Sequence, residues 1–141
     1  MKKLVIANWG GGEQGKSSSV KAVFALLSKK YPSNILLDGG DIKGTVQIGD
    51  VLIGIESQGD PNSRQGASLW DFLNMDCDII VCVSRSYGKT CENIMELKKH
   101  GFQVVWTQND RSDDEILHDY LNRKYAERVV EMIEDWIGGR V

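Results

Sequence analysis

The segment Gly10-Gly11-Gly12-Glu13-Gln14-Gly15-Lys16-Ser17 concentrates the residue types that bind anions. Glycines tolerate positive φ, so a backbone rich in them can turn successive N–H groups inward around a charged oxygen. Lys16 adds a point charge, and the Ser17 hydroxyl is a hard oxygen ligand of the kind Mg²⁺ accepts. A helix opening at Lys16 would place Ser18 in its first turn, where exposed N–H groups and the helix dipole add to the attraction. Such a loop is built for a polyphosphate.

Those eight residues fit G-x-x-x-x-G-K-[ST] at every fixed position. With an apolar run, Leu4 to Ala7, before them and helical spacing after them, the chain resembles the P-loop NTPases. The resemblance implies an α/β fold, a three-layer sandwich around a mostly parallel sheet. It implies ATP or GTP as ligand and Mg²⁺ as cofactor. The nucleotide would be held by Gly10, Gly11, Gly12, Glu13, Gln14, Gly15, Lys16, Ser17 and Ser18, with Lys16 also serving catalysis and Ser17 the metal. The branch carrying a second loop lysine fits poorly, because Gly11 stands where that lysine would fall.

A P-loop works with an acid at the end of a neighbouring strand, which holds the metal's water shell. Two residues compete for that place. Glu56 closes the run Val51 to Ile55 and opens Glu56-Ser57-Gln58-Gly59, which resembles the D-x-x-G segment of Ras-like GTPases. By that resemblance Glu56 serves the metal and the Gly59 N–H meets the γ-phosphate. Asp60 follows where those GTPases have a water-orienting glutamine. Asp38 closes Ile35 to Leu37, and Asp38-Gly39-Gly40-Asp41 resembles the acidic segment of partitioning-type ATPases and of shikimate-type small kinases. Both acids are expected near the metal.

Thr107-Gln108-Asn109-Asp110 matches a relaxed N-K-x-D guanine-recognition motif, which gives Asp110 the base. Its competing reading is a polar loop that caps the next helix. Among the loop cations Arg64, Arg85, Lys89 and Arg111, Arg85 in Ser84-Arg85-Ser86-Tyr87-Gly88-Lys89 is the first candidate to stabilise charge on a transferring phosphoryl group.

These residues need elements to position them. Val20, Val23, Phe24, Leu27 and Tyr31 recur at helical spacing after Lys16, and Pro32 follows. Thr45 to Ile48 and Val51 to Ile55, joined by Gly49-Asp50, read as a hairpin on an antiparallel edge of the sheet. Cys77 to Val83 and Phe102 to Trp106 read as strands, Ala67 to Met75 and Thr90 to His100 as helices. Ser112 and Glu115 have capping-box spacing before one long helix, with Ile116, Leu117, Tyr120, Leu121, Val129, Met132, Ile133 and Trp136 on its apolar stripe.

The 141 residues suit one domain with one core. A net charge of −3 argues against general nucleic-acid binding. No apolar run approaches the roughly 18 residues a membrane span requires, and Leu4 to Ala7 is too short for a signal segment. Three cysteines without C-x-x-C spacing fit a reducing cytoplasm. Three functions follow: an NTPase with slow hydrolysis, a phosphotransferase acting on a small metabolite or nucleotide, or a non-catalytic nucleotide-binding module working with a protein partner.

Overall fold

The computed structural model describes residues 2–10 and 15–141. Its chain order is β1 (Lys3–Trp9), α1 (Lys16–Lys30), β2 (Ser33–Leu37), β3 (Lys43–Ile48), β4 (Val51–Glu56), α2 (Gln65–Asn74), β5 (Ile79–Ser84), α3 (Lys89–Lys98), β6 (Phe102–Thr107) and α4 (His118–Ile137). One six-stranded sheet runs in the order β2-β3-β4-β5-β1-β6. β1 lies parallel to β5 and β6, β5 is parallel to β4, and β3 is antiparallel to both of its neighbours.

β1 and β5 read as continuous apolar runs because both of their faces are covered. Leu4, Ile6, Ile79, Val81 and Val83 pack on one side with Val20, Val23, Phe24 and Leu27 of α1 and Tyr125, Ala126, Val129 and Ile133 of α4. Val5, Ala7, Ile80 and Cys82 pack on the other with Leu69 and Phe72 of α2 and Ile94 and Leu97 of α3. Helices thus cover both faces of the sheet, and each buried aliphatic side chain contributes about 1.5–3 kcal/mol. Among the described residues no helix is long and apolar enough to cross a membrane.

Two expectations from the sequence need correction. The β3–β4 hairpin forms, turning at Gly49 with φ 57°, but it is not the edge of the sheet. β2, which holds the Ile35 to Leu37 run, pairs outside it and is exposed along its whole length. The second correction concerns the final helix. A short 3-10 turn, Glu115–Leu117, precedes α4, and its cap is Asp114, whose carboxylate accepts from the Ile116 N–H. Ile116, Leu117 and Tyr120 are exposed and do not belong to the apolar stripe. The stripe proper begins at Tyr125.

Candidate functional site

The carboxyl ends of β1, β4, β5 and β6 open on one edge of the sheet, where open α/β sheets collect ligands. α1 begins there. Its N-terminus is made by Gly15, whose φ of 73° is left-handed and whose Cβ, if present, would stand 3.3 Å from Asn122 Oδ1. Glycine answers both demands. Gly11, Gly12, Glu13 and Gln14 lie outside the described residues.

The Lys16 ammonium donates to the Gly10 carbonyl at 2.7 Å. Burial first, then the Arg85 guanidinium, pulls that ammonium below its ordinary value, while Asp60 acts in the opposite direction. Two cations therefore face one space, and an anion between them would relieve their repulsion. The space is a cavity of about 260 Å³ lined by Gly15, Lys16, Ser17, Asp41, Asp60 and Arg85, among others. Arg85 is fixed through its backbone N–H, which donates to Thr90 Oγ1 at 3.0 Å, and its guanidinium lies 3.5 Å from Asp60. Gly59 also lines this cavity. A Cβ at Gly59 would fall 2.3 Å from Val83 Cγ1, so the loop after β4 can lie against β5 only without a side chain there.

The acid beside Ser17 is Asp41. The Ser17 hydroxyl donates to Asp41 Oδ1 at 2.5 Å, and the buried Ser57 hydroxyl donates to the same oxygen at 3.0 Å. Ser57 is held in turn by the Ile42 N–H at 2.8 Å. Burial would raise the Asp41 carboxyl; the Ser17 and Ser57 hydroxyls, with Lys21 and Arg64 nearby, outweigh it and hold the group below its ordinary value. A charged carboxylate beside a serine hydroxyl is a hard-oxygen pair of the kind a small divalent cation takes. Among the described residues no cluster of three or more His, Cys, Asp or Glu side chains forms a metal site on its own. Mg²⁺ needs none, since it keeps several waters and shares its coordination with phosphate oxygens.

Neither acid expected at the metal has that position. β5 stands between β1 and β4, so Glu56 does not end a strand neighbouring β1. Its carboxylate is fully buried and its acceptors are taken. Arg64 grips it twice, Nε to Oε1 at 2.8 Å and Nη2 to Oε2 at 3.2 Å, while Ser68 Oγ at 2.6 Å and the Gln58 N–H at 3.0 Å complete the set. Arg64 is likewise committed to Glu56 and, at 3.1 Å, to the Asp41 carbonyl. Asp38 is exposed at the end of the outermost strand and lines neither cavity beside α1.

On the other side of Gly15 lies a cavity of about 390 Å³, lined by Ser18, Asn109, Asp110, Arg111, His118 and Asn122, among others. It has the size of a small-molecule site. Asp110 belongs to this wall, and two amides form the part nearest Gly15. Asn109 Oδ1 accepts from Asn8 at 3.2 Å, and Asn122 Oδ1 accepts from Ser19 at 2.8 Å. Asn8 is fully buried at the end of β1, donates also to the Lys16 carbonyl at 3.4 Å, and has no partner for its Oδ1 among the described residues. Sequence reading missed Asn8, Asn122 and Ser57; single polar residues whose partners lie far along the chain or across a loop gave no signal. No protein-family model, curated protein or solved structure matches the chain.

Proposed function

We propose that the chain is a P-loop protein that binds a Mg²⁺–nucleoside triphosphate, ATP or GTP, across the N-terminus of α1, and hydrolyses it slowly. The observation that carries this reading is the Ser17–Asp41 contact beside Lys16, at the mouth of a helix opened by a left-handed glycine. The base and sugar occupy the larger cavity against Asn109, Asp110 and Asn122, and the terminal phosphate faces the smaller one. Ser17 and Asp41 would hold Mg²⁺, which would supply charge neutralisation for the phosphates. Lys16 and Arg85 bind and orient the terminal phosphate. Water attacks the γ-phosphorus, the bond to the β,γ-bridging oxygen breaks, and the water proton leaves with the released phosphate. Asp60 stands where Ras-like GTPases have a water-orienting glutamine, which is why slow turnover is expected. Three cysteines, two of them fully buried, suit a reducing compartment such as the cytoplasm.

Phosphoryl transfer to a small acceptor is the second reading. It is favoured by the polar cavity beyond Ser17, where Asp41, Asp60 and Arg85 could receive a hydroxyl compound. Titration calorimetry with ATP and GTP, with and without Mg²⁺, tests the core of the proposal. Lys16→Ala should weaken binding about 10- to 100-fold, the loss of one charge-assisted contact; unchanged affinity for both nucleotides would refute it. ADP release stimulated by an added acceptor selects the kinase reading, and binding without turnover selects a non-catalytic module.

A further inference from the structure

β1 carries one polar side chain where its pattern calls for an aliphatic one. Leu4 and Ile6 pack on the face covered by α1 and α4, and Asn8 is next in that alternation. It is 0% exposed, and a buried amide costs free energy unless it is hydrogen-bonded. The hydroxyl opposite it in register, on Thr107, is engaged elsewhere, with the Ala7 carbonyl and the Tyr125 hydroxyl.

The Asn8 Nδ2 group instead reaches two other parts of the chain. It donates to the Lys16 carbonyl in the first turn of α1 at 3.4 Å and to Asn109 Oδ1 after β6 at 3.2 Å. A carbonyl can only accept, so Lys16 fixes which end of the Asn8 amide faces it. Asn109 must then offer its oxygen to Asn8, which turns its own NH₂ away. That NH₂ donates to the Asp110 carbonyl at 3.3 Å, and its nitrogen lies 3.6 Å from where a Gly15 Cβ would stand. Asn109 lines the larger cavity and also a smaller one bordered by Trp9, Lys16 and Arg111. The orientation of a cavity wall is thus set from a point closed to solvent.

We propose that Asn8 is a positioning residue, which locks the loop after β6 to the first turn of α1 and so holds the nucleoside end of the site in register with the phosphate end. This rests on the nucleotide reading and deepens it, by joining two subsites that a ligand would otherwise fill independently.

Calorimetry with ATP, GTP and inorganic tripolyphosphate, each with Mg²⁺, separates the two ends, because tripolyphosphate lacks the nucleoside. Asn8→Leu replaces the amide by an apolar side chain of similar size and should keep a cooperative urea transition. It should lower nucleotide affinity relative to tripolyphosphate about tenfold, the worth of one or two hydrogen bonds. Asn109→Ala should do the same, and the double variant should lose no more than either alone, as two residues acting through one contact require. Asn8→Ala repeats the comparison should Asn8→Leu fail to fold. If nucleotide and tripolyphosphate weaken equally, if the ratio keeps its wild-type value, or if the two losses multiply in the double variant, the proposal is overturned and the nucleotide reading stands. If the wild-type chain binds neither nucleotide nor tripolyphosphate, the nucleotide reading falls and the proposal falls with it.

Discussion

Asp41 and Glu56 stand at the same end of the sheet, both within the reach of Arg64, and their surroundings differ in kind. Glu56 is sealed from solvent and saturated by four hydrogen bonds, two of them from a guanidinium. Asp41 is half-buried, accepts from two neutral hydroxyls through a single oxygen, and borders an open cavity. A carboxylate with all its acceptors occupied holds a fold together; one with acceptor capacity left at a cavity mouth can take a ligand. The distinction lies in unspent hydrogen-bonding capacity and access, not in residue type.

Glu56→Gln gives the largest effect expected from any single residue. It leaves Arg64 facing a neutral amide, and breaking such a pair should cost about 2–4 kcal/mol in urea denaturation. The figure sits below the full range for a sealed pair because the Arg64 side chain is 27% exposed. A stable Glu56→Gln protein that had lost only its Mg²⁺ dependence would reverse the two roles.

Next comes alkaline pH. Burial, aided by the Glu56 charge, pushes the Cys82 thiol up to about 12, and burial with the neighbouring Asp78 and Asp76 carboxylates does the same for Cys77. An unfolded thiol ionises near ~8.5. Between those values the unfolded chain binds fewer protons than the native one, so the stability is complete below ~8.5 and falls as pH rises toward 12. Each thiol should cost about 2–3 kcal/mol by pH 10.5, seen as a falling denaturation midpoint. Cys82→Ala should flatten that slope. In Glu56→Gln the Cys82 share should shrink, because the carboxylate that helps raise it is gone.

Asp41→Asn gives the smallest change in stability, within about 1 kcal/mol. Its effect should fall on ligand binding: on the proposed reading, affinity for nucleotide with Mg²⁺ drops at least about tenfold, a loss of ~1.4 kcal/mol, and affinity without metal barely changes. Equal losses in both conditions would make Asp41 a structural residue like Glu56.

The sequence carried the sheet centre well. Leu4 to Ala7 and Ile79 to Val83 are apolar on both faces, which only a covered strand tolerates, and the α1 stripe from Val20 to Leu27 faces the core as its spacing requires. It carried the edge badly. Ile35 to Leu37 reads the same whether a strand is central or outermost, since apolar content reports strand formation and not strand order. The acid beside Ser17 was hard to read for a related reason. Glu56 follows a strand and precedes x-x-Gly, as a metal acid could, but its partner Arg64 and the insertion of β5 beside β1 are facts of three-dimensional arrangement. Asp41 entered only as the second acid of the kinase-like reading. Its claim on Ser17 spans 24 positions of sequence and became visible when the turn after β2 was placed.

The position of β1 has a further consequence, for the order in which the chain can assemble. Its registers join Leu4 to Ile79 and Lys3 to Phe102, so the strand that leads into the glycine segment has no nearby partner in sequence. Such distant pairings are slow, because the intervening chain must be ordered before they are rewarded. On a ribosome, β2, β3 and β4 could pair as a meander while β1 waited for residues 79–107 to emerge. The start of α1 beside β1 would then be among the last features to form, and a fragment ending before β5 would carry the full Gly10–Ser17 motif without either strand that pairs with β1.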